Sequence, residues 1–160
     1  MGGSRAVLMV GLFLLASASA PLASSHTQQT LTVILVEDGV VSGNITDPAF
    51  VQGNALWFRM EDTTENTTMK VRLDIDQDGV FNASNDFEST DLVHECELNE
   101  TGALVDEDCA VSATYAFSMN ATVGTYAFWV HRTSNETETV WNHTVAVHKD
   151  CLLYTSDAAD

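Results

Sequence analysis

Asp74, Asp76 and Asp78 stand at alternate positions and are followed at once by Gly79, within the run Leu73-Asp74-Ile75-Asp76-Gln77-Asp78-Gly79-Val80-Phe81-Asn82-Ala83-Ser84-Asn85-Asp86-Phe87-Glu88. Carboxylates in that pattern converge on one point when the chain turns sharply, and glycine permits the bend. The chemistry this suits is the binding of a hard divalent cation by oxygen ligands. Three carboxylates crowded together repel one another unless a cation lies between them, so a plain solvated turn is the weaker reading. Calcium fits better than magnesium, which keeps its waters and demands a stricter octahedron. The expected ligands are Asp74, Asp76, Asp78, the carbonyl of Val80, Asn82 directly or through a water, and a closing carboxylate from Asp86 or Glu88.

The element that must position this loop is the segment before it. Met69-Lys70-Val71-Arg72-Leu73 alternates apolar and basic residues with period two, so Met69, Val71 and Leu73 are expected to face a core and Lys70 and Arg72 water. A strand therefore runs directly into the acidic turn. The loop resembles the EF-hand ligand pattern at its first, third and fifth positions (Asp74, Asp76, Asp78), its sixth (Gly79), its seventh (Val80) and its apolar eighth (Phe81). It departs at the twelfth, where Asn85 replaces the usual bidentate glutamate, and no helical apolar stripe follows Glu88. The loop is also similar to Asp-x-Asp-x-Asp-Gly turns of extracellular β-sandwich modules and of thrombospondin-type calcium repeats. That resemblance implies calcium and is silent on function.

Other segments read as strands too. Thr30–Val36 is a β-branched run stopped by Glu37-Asp38-Gly39, and residues 40–45 are placed as a short hairpin arm against it. Ala55–Met60, Asp91–Cys96, Cys109–Met119, 121–130 and 139–148 complete the set. Gly124-Thr125-Tyr126 is similar to the opening of a late strand in immunoglobulin-like sandwiches, where the tyrosine hydroxyl anchors a corner. Seven or eight short strands without a convincing helix make an all-β, antiparallel immunoglobulin-like β-sandwich the economical architecture.

Residues 1–25 carry one cation, Arg5, an apolar run from Ala6 to Leu15 and a close in small residues. This is the pattern of a secretory signal peptide, with cleavage expected between Ala18 and Ser25. Residues 151–160 resemble a translated sequencing adapter, so the domain is taken as 26–150 and the natural chain is expected to continue past Asp150. In an exported chain, Cys96 and Cys109 then most simply pair as a disulfide across the base of an acidic hairpin. The alternative is a metal site from His94, Cys96 and Cys109, which lacks an evident fourth ligand. Asp106-Glu107-Asp108 is either a second, weaker cation site or a solvated turn.

Residues 26–150 hold 21 acidic against 5 cationic side chains, a net charge of −16. That field excludes nucleic acid and anionic membrane as partners of the mature domain and favours cations and a hydrated surface. Seven of the nine asparagines open an N-x-[ST] sequon: Asn44, Asn66, Asn82, Asn99, Asn120, Asn135 and Asn142. Chance would supply about two, so N-glycosylation is expected, although a Thr-rich β-protein also makes sequons incidentally. Acidity, threonine sequons and a short signal together look like secreted surface proteins of marine or halophilic euryarchaea.

No nucleophile elbow, phosphate loop, dinucleotide fingerprint or zinc-protease helix is present, and His94, His131, His143 and His148 are scattered. The sequence thus implies a non-enzymatic, calcium-binding, structural or adhesive module of a secreted or cell-surface protein, with surface proteins or glycans as further partners. The competing class is an accessory or pro-domain of a secreted hydrolase.

Overall fold

The computed structural model describes residues 27–151; the signal-like segment and residues 152–160 of the adapter-like tail lie outside them. Eight strands form among the described residues: β1 (Thr30–Val36), β2 (Gly39–Val40), β3 (Ala55–Met60), β4 (Thr67–Leu73), β5 (Phe87–Glu88), β6 (Ser112–Ala116), β7 (Gly124–Ser134) and β8 (Thr137–Val147). They make two four-stranded sheets, ordered β2-β1-β3-β6 and β5-β4-β7-β8. The molecule is a β-sandwich, as the alternating apolar pattern requires when each sheet has one face to bury.

Every strand pair is antiparallel except β1 with β3, which run parallel from Thr30↔Ala55 to Leu35↔Met60. The reason lies in residues 41–54. After the two-residue β2, this segment crosses to the other sheet, where Ile45 bridges Val145 and Val51 bridges His148, before it returns. A parallel neighbour needs a connection of that length, which a tight hairpin does not supply.

The expected alternation along β4 is present: Met69, Val71 and Leu73 are buried, while Lys70 and Arg72 are partly exposed. Opposite them, Phe58, Leu56 and Val33 fill the core from the first sheet. Tyr126 is buried and its hydroxyl donates to the Thr122 carbonyl at 2.5 Å, the corner contact expected of it.

Three expectations need correction. The hairpin arm expected over residues 40–45 is cut to Gly39–Val40, because the chain beyond it leaves β1 and Ile45 pairs with Val145 of the other sheet. Asp91–Cys96 does not form a strand; Leu92 alone bridges Met69 on one side and Ala110 on the other, and it is the one fully buried residue of the run. His94 and Glu95 are exposed, so nothing apolar holds the rest of the segment against a sheet. The strand expected over Cys109–Met119 shortens to Ser112–Ala116 because Cys109 belongs to a turn that begins at Asp106.

Cys96 and Cys109 are bonded to each other, with Cα atoms 5.9 Å apart. Between them Asn99 N–H donates to Ala103 and Leu98 bridges Leu104, the hairpin excursion expected there. Closing a loop of this length contributes about 3 kcal/mol in the chain-entropy account. The disulfide also disposes of the His94-Cys96-Cys109 metal site, since neither sulfur remains a thiolate.

Candidate metal centre

β4 delivers the loop and β5 receives it. Leu73 is the register partner of Phe87, and Arg72 that of Glu88, so residues 74–86 are a loop whose two ends lie side by side in one sheet. Both ends are anchored. Asp74 N–H donates to Ala127 of β7 at 3.0 Å, and the Phe87 ring packs on Tyr115 of the opposite sheet with centroids 5.2 Å apart.

Within this frame Asp74, Asp76 and Asp78 each bring a carboxylate oxygen within 4.8 Å of the others. Among the described residues this is the single group of acidic, histidine or cysteine side chains so arranged; Asp106-Glu107-Asp108 does not form one. Asp76 and Asp78 are exposed, whereas Asp74 is only 1% exposed. Asp74 Oδ2 accepts the Gly79 N–H at 2.8 Å, and Oδ1 is buried without a partner among the described residues. Leaving a buried carboxylate oxygen unmatched is costly, and a cation between the three aspartates would satisfy it. The donor set therefore fits a metal ion.

The turn itself depends on two residues with positive φ, Gln77 at 60° and Gly79 at 82°. Glycine takes that conformation freely. Gln77 does not, and its side chain lies under the loop against Gly124, where an added Cβ would stand 3.2 Å from the Gln77 amide. Asp78 Oδ1 accepts the Val80 N–H at 2.8 Å and Asp76 Oδ1 the Asp78 N–H at 3.3 Å, so each aspartate also bends the chain locally.

The remaining expected ligands are placed differently from one another. Val80 is 65% exposed at the outer rim of the turn. Asn82 is exposed, and its side-chain oxygen accepts the Ser84 N–H at 3.1 Å. Asp86 is turned inward: Oδ1 accepts the Ile75 N–H at 2.8 Å and Oδ2 the Asn82 N–H at 2.7 Å, which clasps the loop's first and second halves together. Glu88 is drawn away by Arg72, with Nε to Oε2 at 2.6 Å. Arg72 also stacks its guanidinium over the Phe81 ring, 4.6 Å from the centroid. Of the two candidates for a closing carboxylate, Asp86 is the one that faces the loop.

Burial pushes the Asp74 carboxyl above its ordinary range, and the neighbouring Asp76 and Asp86 push it the same way, against the backbone N–H groups of Gly79 and, nearby, Gln77. The site is thus held in an electrostatically unfavourable state by its own fold, which is the condition a divalent ion relieves.

All seven sequon asparagines are exposed, whereas Asn54, one of the two outside a sequon, is fully buried and accepts the Gln29 N–H. No helix among the described residues is long and apolar enough to cross a membrane. A scan against protein-family models gives no match to this chain, and a search of curated proteins gives none.

Proposed function

We propose that the chain is an exported, N-glycosylated, calcium-binding β-sandwich that serves as a structural or adhesive module of a surface protein. The observation that carries the reading is the buried, unpartnered Oδ1 of Asp74 beside the Asp76 and Asp78 carboxylates. Calcium is the ion assigned because the donors are all oxygen, two of the three aspartates are exposed on a turn rather than locked in a rigid cage, and such sites accept six to eight flexible ligands. The exposed sequons, the disulfide and the signal-like leader support an extracellular setting. Its surface partners would be proteins or glycans.

Calcium in this site ties the end of β4 to the start of β5 and removes the repulsion that the ion-free loop carries. Extracellular modules of this kind bind calcium with a Kd of roughly 10⁻⁴–10⁻³ M. At about 10 mM calcium, ten to a hundred times that Kd, the linkage amounts to about 1.4–2.7 kcal/mol. The melting temperature of the purified chain is therefore expected to rise by several degrees in about 10 mM calcium and much less in equal magnesium, and Asp76→Ala to remove the rise. A melting curve indifferent to calcium would count against the proposal.

A further inference from the structure

β8 closes one side of its sheet, and at 11 residues it is the longest strand at any sheet edge. Its inner side is paired with β7 throughout. The outer side is paired over part of its length: Ile45 N–H donates to the Thr144 carbonyl at 2.8 Å and Ala146 N–H to the Ile45 carbonyl at 2.9 Å. Main-chain groups of an edge strand alternate in direction, so Glu138, Val140 and Asn142 turn theirs outward with Thr144 and Ala146. The Ala127 carbonyl, directed to Asp74 on the β4 side, sets the same parity from the other end of the register, because Ala127 is the partner of Thr144. Among the described residues nothing pairs with the outward groups of Glu138, Val140 and Asn142.

This stretch can pair with itself. An antiparallel match to a second copy centred on Val140 sets Val140 opposite Val140 and Glu138 opposite Asn142, with no like charges facing. Val140 is 47% exposed and would be covered. Such an edge is a template for association unless something blunts it.

Three of the seven sequons stand along this one edge. Asn142 is in the open stretch itself, Asn135 is in the turn that leads into β8 at positive φ, and Asn44 accepts the Thr144 N–H at 3.0 Å where the paired part begins. We infer that the glycan at Asn142, flanked by those at Asn135 and Asn44, guards the open edge of β8 and keeps the sandwich from pairing edge to edge with a second copy. The inference rests on the glycosylation reading above.

The test uses the full chain secreted from a host that N-glycosylates exported proteins, and reads intact mass and sedimentation equilibrium together. The glycosylated chain is expected to carry sugar at Asn142 and to sediment as one chain. Asn142→Gln and, independently, Thr144→Ala destroy the same sequon and are expected to shift the mass to two chains or more. Adding Val140→Pro, which removes an outward N–H without touching the β7 ladder, or Val140→Lys, is expected to return it to one. Sequon variants that still sediment as one chain, or an Asn142 left bare in a wild-type chain that stays single, would overturn the guard. Sugar found at the other sequons in either case leaves the glycosylation reading standing, and sugar found at none removes both.

Discussion

Replacing Arg132 by methionine is expected to lower the stability of the fold by about 3–5 kcal/mol. Arg132 lies in β7 and reaches Asp62, just past the end of β3 in the other sheet, with Nε to Oδ2 at 2.7 Å; the side chains are 13% and 1% exposed. The ion pair therefore fastens the two sheets at the end where the chain passes from β3 to β4. Asp62 Oδ1 accepts the Thr64 N–H at 2.9 Å, so the carboxylate is fully matched while Arg132 is present. Without it a buried charge is left unpaired. The double variant Asp62→Asn with Arg132→Met is expected to lose less than Arg132→Met alone, because the uncompensated charge goes as well. Urea unfolding of the three proteins measures both, and an Arg132→Met loss below about 1 kcal/mol would show that the pair is not what joins the sheets there.

The same pair sets an acid limit. Burial alone would push the Asp62 carboxyl up, but hydrogen bonds from Thr64 and Arg132 and the guanidinium charge outweigh it and hold it below the ordinary value. A depressed folded value means the contribution is full above the unfolded value of about 3.9 and is lost as pH falls through the folded one. Asp62→Asn is expected to flatten that part of the acid-unfolding curve.

Asp74→Asn is expected to act in the opposite direction on the ion-free protein, stabilising it at neutral pH, because the amide buries no charge beside Asp76 and Asp86. Burial and the nearby Asp76 and Asp86 raise the Asp74 carboxyl, so here the sign is reversed. Stability that protonation of Asp74 contributes is full below the unfolded value and is lost as pH rises through the raised folded one. The amide keeps an acceptor for Gly79 and carries no charge. In millimolar calcium the order is expected to invert, since the wild type gains from the ion and the variant does not. Paired melts with and without chelator measure the crossing. Two curves that keep one order in both conditions would show that Asp74 does not sense the ion.

Much of this was legible in residue order. The boundaries of β1 and β3 follow from β-branched and aromatic runs ended by turn residues, and the cysteine pairing follows from there being two within residues 26–150. The three-aspartate cluster follows from spacing because its members are neighbours in the chain. What the sequence concealed is non-local. The parallel β1/β3 pair depends on where residues 41–54 travel, and the Asp62–Arg132 pair joins residues 70 apart. Spacing makes Asp86 a ligand candidate but gives no sign that both its oxygens hold backbone N–H groups across the loop. Gln77 showed no signal at all, since its role beneath the turn requires Gly124 to lie against it.

Calcium stoichiometry tests the account most directly. Titration calorimetry of the metal-stripped chain is expected to give one calcium bound per chain with a Kd of roughly 10⁻⁴–10⁻³ M, and no binding in Asp76→Ala. An absence of calcium heat up to ten millimolar, with the chain still folded, would contradict the claim that these aspartates are gathered to hold an ion.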